Sequence, residues 1–122
     1  VKKRITWTEE EIVLAMEVAV RNGWRGVNMQ TPMVRELSAQ LRNAAIHPAS
    51  ERPADFRSPG SVGLKVNNLR AGGPHTQGTG LRSTAVERRI IALYADDTEA
   101  LFARANHIRN KFGLPPLTRL VD

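Results

Sequence analysis

Ser61, Lys65 and Asn68 lie at i, i+4 and i+7 in the stretch SPGSVGLKVNNLR, with Asn67 beside them. On a helix this spacing sets the three polar side chains on one face. Short donors and acceptors interleaved with a cation are what a helix needs to read base edges in the major groove. Asparagine can pair with adenine through two hydrogen bonds, and lysine can reach guanine. The start of the same segment, Ser58 to Ser61, offers free helix N–H groups to a phosphate. Residues 57 to 89 also hold Arg57, Arg70, Arg82, Arg88 and Arg89 against one acid, Glu87, which with Lys65 makes most of the formal net charge of +6. That concentration predicts a phosphate-facing patch. The expected DNA-contacting set is therefore Arg57, Ser58, Ser61, Lys65, Asn67, Asn68, Arg70, Arg82, Arg88 and Arg89.

Catalytic chemistry has no comparable footing. His47, His75 and His107 are too far apart in sequence for a metal pair at i, i+4, and there is no cysteine to complete a zinc site. Acids gather at helix starts (Glu9, Glu10, Glu11, Asp96, Asp97, Glu99), where the helix dipole already accounts for them. The glycine-rich run AGGPHTQGTG lacks the Gly-x-x-x-x-Gly-Lys-Ser/Thr pattern of a nucleotide-binding loop. Aromatic residues make up only 5% of the chain, which leaves little for base stacking on single strands. The expectation is a chain with no catalytic residues, no metal and no cofactor.

The elements that must position the polar face are legible from their caps. Thr8 with Glu11 forms a capping box, after which Ile12, Met16, Ala19 and Val20 recur at helical spacing up to a glycine stop at Asn22-Gly23. Thr31-Pro32 and Ser58-Pro59 each place a capping oxygen before proline at the first helical position. The second helix carries Met33, Val34, Leu37 and Leu41 and fades near Asn43. The third runs from about 59 to 70 with Val62, Val66 and Leu69 buried. Residues 44 to 57 read as a loop held by Ile46 and Phe56. Thr84 with Glu87, and Asp96 with Glu99, mark two more capping boxes, and Gly113 with Pro115 ends the last helix. Trp7 and Trp24 flank the first helix as hydrophobic covers for its two ends.

These signals predict an all-α bundle of about five helices with a helix-turn-helix-like reader helix and a Gly-rich loop. The chain of 122 residues is read as one domain, with an arm at 1–6, a mobile loop at 71–83 and a tail or linker at 113–122. Apolar residues at 41% and charged residues at 25% are ordinary for a globular domain. With no long apolar run, no leader-like start and no cysteine, a cytoplasmic protein that avoids membranes is expected.

Several stretches together resemble a known family. WTEEEIVLAMEVAV, VRELSAQLRNAAIHP, FRSPGSVGLKVNNLR and ARANHIRN, spread over most of residues 7 to 110, are similar to the N-terminal domain that precedes the HNH nuclease domain in McrA-type, modification-dependent restriction endonucleases. Phe56, Arg57, Pro59, Val62, Lys65 and Asn68 match the family's central element, while Ser58, Ser61 and Leu69 depart from it. The resemblance implies binding to double-stranded DNA carrying modified cytosine, typically 5-methylcytosine, on behalf of a nuclease domain in the parent protein. The HNH motif itself is not among these residues. From the residues alone the alternative is a helical protein-interaction module whose basic face meets an acidic partner.

Overall fold

Thr8 opens the first helix as its sequence demands. Its hydroxyl accepts from the Glu11 N–H, and the Glu11 carboxylate accepts from the Thr8 N–H at 3.0 Å, closing the capping box. In the computed structural model, which describes residues 3–72 and 84–117, five α-helices follow from such signals: α1 (Glu9–Arg21), α2 (Pro32–Asn43), α3 (Pro59–Ala71), α4 (Ala85–Tyr94) and α5 (Thr98–Lys111). A short 3-10 turn, Ala49–Glu51, sits between α2 and α3. Among the described residues there is no strand, and no helix is long and apolar enough to cross a membrane. Arg82, His75 and most of the loop expected to be mobile lie outside the described residues, from 73 to 83, as does the tail beyond 117.

The helix ends show how local chemistry fixes the chain. After α1, the Gly23 N–H donates to Val20 and the Trp24 N–H to Ala19, both at 2.9 Å. After α5, Gly113 donates to Asn110 and Leu114 to Arg109 in the same arrangement. Each is a Schellman stop, and Gly23 and Gly113 take the positive φ that it requires. Two caps differ from expectation. Asp97, not Asp96, caps α5, accepting from the Ala100 N–H at 3.1 Å. Thr31 caps α2 in position only: its hydroxyl turns back to accept from the Asn28 N–H, so the preceding turn uses the oxygen first.

The sequence shows α1 as a striped helix, but the fold buries it on all sides. Every residue from Glu11 to Ala19 is buried, and α2, α3, α4 and α5 all pack against it. A helix apolar around most of its circumference has no face to give to water, so it becomes the axis of the bundle. This placement takes Glu17 inside, where Arg21 reaches it at 2.8 Å and Arg109, only 2% exposed, pairs with it from α5. Gln40 of α2 links the same cluster to the segment after α5 by accepting from Arg109 and donating to the Pro115 carbonyl.

α3 packs on α1 and α2 through Val62, Val66 and Leu69, each 0% exposed. α2 and α3 are joined by residues 44–58, far longer than the 3–4-residue turn of a helix-turn-helix. Arg52 organises this connection, donating to the carbonyls of Arg42, Ala44 and His47 and so satisfying the end of α2. Phe56 is buried, Ile46 packs on the core and Ser38 donates to the Arg57 carbonyl at 2.7 Å. The connection is thereby a fixed part of the surface beside α3.

A candidate nucleic-acid interface on the third helix

Three sides of α3 are taken by the protein. The apolar side faces α1 and α2. A second side holds residues 26–29: the Asn67 amide donates to the Val27 carbonyl at 2.9 Å and accepts from the Val27 N–H at 3.0 Å. Asn67 therefore works as a backbone clamp, with both ends of its amide committed. Gly63 lies on the same side, where an added side chain would meet the Asn28 backbone at 3.5 Å, an ordinary van der Waals contact. On the opposite flank, Lys65 forms an ion pair with Glu87 of α4, and its side chain is only 17% exposed.

What remains outward is the ridge of Gly60, Leu64 and Asn68, successive i+4 positions. Leu64 is 61% exposed, and the similarly exposed Met29 lays its Cε over Gly60. Asn68, half-buried, makes no side-chain hydrogen bond with another described residue. Ser61 lies beside this ridge, its hydroxyl donating to the Ser58 carbonyl while the Ser58 hydroxyl caps the helix on the Ser61 N–H. The centre of the exposed face is thus Leu64 with Asn68, and Lys65 stands at its edge.

A cavity of about 460 Å³ opens along this face. One wall is α3, through Ser61, Leu64, Lys65 and Asn68. The arm ahead of α1 supplies Arg4, Ile5, Thr6 and Trp7, and the connection before α3 adds Pro53, Asp55 and Phe56. Trp7 is more than a cover for its helix: its ring holds the Arg57 guanidinium at 4.5 Å and the Lys65 ammonium at 5.5 Å.

Arg57, expected at the phosphate patch, is an interior residue. It is 4% exposed and donates through Nε and Nη2 to the two oxygens of Glu11, each at 2.9 Å. It also reaches the Ile5 carbonyl through Nη1 at 3.1 Å and the Thr6 carbonyl through Nη2 at 3.3 Å. The Phe56 ring covers it as well, at 4.7 Å. With each of its nitrogens engaged, no position is left for a phosphate. Its φ of +47° is a left-handed conformation that a non-glycine residue adopts only when its surroundings hold it there.

Burial raises the Glu11 carboxyl, but hydrogen bonds from Arg57, from His47 and from the Thr8 N–H together outweigh burial and hold it below its ordinary value of 4.5. His47 contributes through Nε2, 3.0 Å from Oε1. This histidine is tied into a structural cluster. Among the described residues no group of three or more histidines, aspartates or glutamates is placed to hold a metal ion.

The linear run of positive charge does not become one open patch. Arg57 pairs with Glu11, Lys65 with Glu87 and Arg89 with Glu9. Arg70 is half-buried with its Nε unpartnered, Arg88 is exposed but interacts within the chain, and Arg82 is outside the described residues. Two residues of the site escaped sequence reasoning. Leu64 reads as one more apolar residue in an apolar helix until its neighbours are known. Arg4 stands in a segment with no periodic signal at all. No known protein family, curated protein or solved structure matches the chain in comparison.

Proposed function

We propose that this chain is a duplex DNA-binding module that recognises modified DNA, 5-methylcytosine in particular, and delivers a nuclease domain of its parent protein to it within the cytoplasm. It acts without a catalytic site of its own. The observation that carries the reading is the placement of exposed Leu64 and half-buried Asn68 one helical turn apart on the face of α3 that the described residues leave open. Asn68 supplies a donor and an acceptor for a base edge, and Leu64 supplies an apolar surface of the kind that contacts a pyrimidine C5-methyl group in the major groove. The resemblance of FRSPGSVGLKVNNLR to the McrA-type domains supports the same assignment.

The test compares duplexes of one sequence carrying cytosine, 5-methylcytosine or 5-hydroxymethylcytosine. The expected result is tightest binding to the methylated duplex, with affinity for all three falling steeply as salt rises through counterion release. Equal and salt-insensitive binding to all three, or none, overturns it. The alternative reading is a helical protein-interaction module that meets an acidic partner with its basic face, although the internal pairing of Arg57, Lys65 and Arg89 leaves fewer cations for such a partner too. That module would show no preference among the three duplexes.

A further inference from the structure

Lys3 and Arg4 are both exposed, and neither forms an ion pair with a described acid. This sets them apart from Arg57, Lys65 and Arg89, whose charges meet acids of the same chain. They stand on an arm that has no helix or strand of its own, yet the arm is held in place. Arg57 donates to the carbonyls of Ile5 and Thr6, and Trp7 stacks on the same guanidinium. The arm is therefore tied, through Arg57, to the buried Glu11 of α1. Arg4 lines the cavity facing α3, and with Lys3, Ile5 and Glu51 it also lines a second cavity.

From this arrangement we infer that Lys3 and Arg4 form a phosphate-binding site, which grips the sugar–phosphate strand bordering the groove into which α3 docks. The inference rests on the DNA-binding reading and adds to it the residues that supply its electrostatic hold. Two exposed, unpaired cations carried across the cleft from a reader helix match what a strand of phosphates requires, since phosphate contacts fix register while base contacts specify. Arg57 is a positioning residue for this site: it touches no phosphate, and acts by fixing the two carbonyls that follow Arg4. Asp55 and Glu51, the carboxylates that line the two cavities, set a limit on how tightly the strand is held.

The experiment measures affinity of the whole chain for a random duplex across a salt series, with melting temperature as a control. Lys3→Ala/Arg4→Ala should lower affinity about tenfold or more for every duplex and flatten the log–log salt slope by about 0.9 for each phosphate no longer neutralised. Its melting temperature should stay that of the unsubstituted chain, because neither side chain is packed. Arg57→Lys keeps a cation beside Glu11 but loses the fork that reaches Ile5 and Thr6. In that background the Lys3→Ala/Arg4→Ala change should have a smaller effect, a non-additivity that reduced stability alone does not produce. If the unsubstituted chain binds duplexes while the double variant keeps its full slope and affinity, the arm site is wrong and the α3 reading stands. If the unsubstituted chain binds no duplex, both fall.

Discussion

Glu11 accepts the Arg57 guanidinium at two points, 2.9 Å on each, while its own helix N-terminus is still closed on it by the Thr8 N–H. Glu87 repeats the relationship, capping α4 with Thr84 while receiving Lys65 from α3. Both capping-box glutamates thus bind a cation presented by α3 or by the residues that enter it. α3 is thereby fastened on one side to the start of α1 and on the other to the start of α4. Under the proposed DNA-binding reading such fixed support matters, because a few tenths of an ångström decide whether a side chain reaches a base edge.

Arg57→Ala should destabilise the domain by about 3–5 kcal/mol, the cost of leaving a buried carboxylate without its partner. Urea unfolding of the single variants and of Arg57→Ala/Glu11→Ala would show it, with the double variant losing less than the sum of the two. An Arg57→Ala chain of unchanged stability but weakened DNA binding would return Arg57 to the phosphate surface.

Stability should depend on pH through Glu11. A carboxyl held below its ordinary value of 4.5 stabilises the folded state fully above that value and loses the contribution as pH falls toward the folded one. The melting temperature should therefore decline as pH drops below about 4.5. Glu11→Gln should start lower at neutral pH and decline less, and parallel profiles for the two proteins would contradict the assignment.

Asn68→Ala and Lys65→Ala should separate reading from holding. Asn68 has no side-chain partner among the described residues, so its truncation should spare the melting temperature and remove about 1–3 kcal/mol of discrimination between duplexes. Lys65→Ala strands Glu87, which is 2% exposed, and should cost about 1–3 kcal/mol of stability as a buried acceptor is deprived of its donor. Paired measurements of specific affinity, random-duplex affinity and melting temperature distinguish the two. Retention of the full specificity ratio by Asn68→Ala would remove it from the reader.

Leu64→Asn should erase preference for a methylated over an unmethylated duplex while leaving affinity for the unmethylated one within about twofold, since phosphates supply most of that affinity. Because Leu64 is 61% exposed, the change should leave folding untouched. Duplexes with uracil in place of thymine provide the second arm, reporting whether Leu64 meets the methyl group of thymine or that of methylcytosine. An unchanged methyl preference would place the methyl-reading surface elsewhere.

Gly63→Ala tests the packing of α3 against residues 26–29. The added methyl would meet Asn28 backbone atoms at 3.5 Å, an ordinary van der Waals approach, so the gain in helix propensity should dominate and raise stability by up to about 1 kcal/mol. A fall in melting temperature would mean that the loop sits closer than this spacing allows.

The helices were legible in the residues that start and stop them. Caps, proline positions and glycine stops act within a turn or two of chain, so Thr8, Ser58, Thr84, Gly23 and Gly113 could be placed without knowing the fold. The sequence also marked the apolar residues that α2 and α3 bury, Met33, Val34, Leu37 and Leu41 in one and Val62, Val66 and Leu69 in the other, because 3.6-residue periodicity is a local property. Even locally it slipped where two oxygens compete for one role: Asp97 rather than Asp96 caps α5, and Thr31 spends its hydroxyl on Asn28. Which cations are neutralised within the chain followed from packing between distant segments. Charge along the chain placed Arg57, Lys65 and Arg89 in one basic run, yet each meets an acid more than twenty residues away in sequence. Asn67 and Asn68 are adjacent and chemically identical, but one clamps Val27 and the other is left uncommitted by the described residues, since neighbouring residues on a helix point about 100° apart. Sequence carries the identity of a charged or polar group, but whether it is neutralised, buried or exposed depends on what folding brings within a few ångströms, where ion pairing and desolvation are strongest.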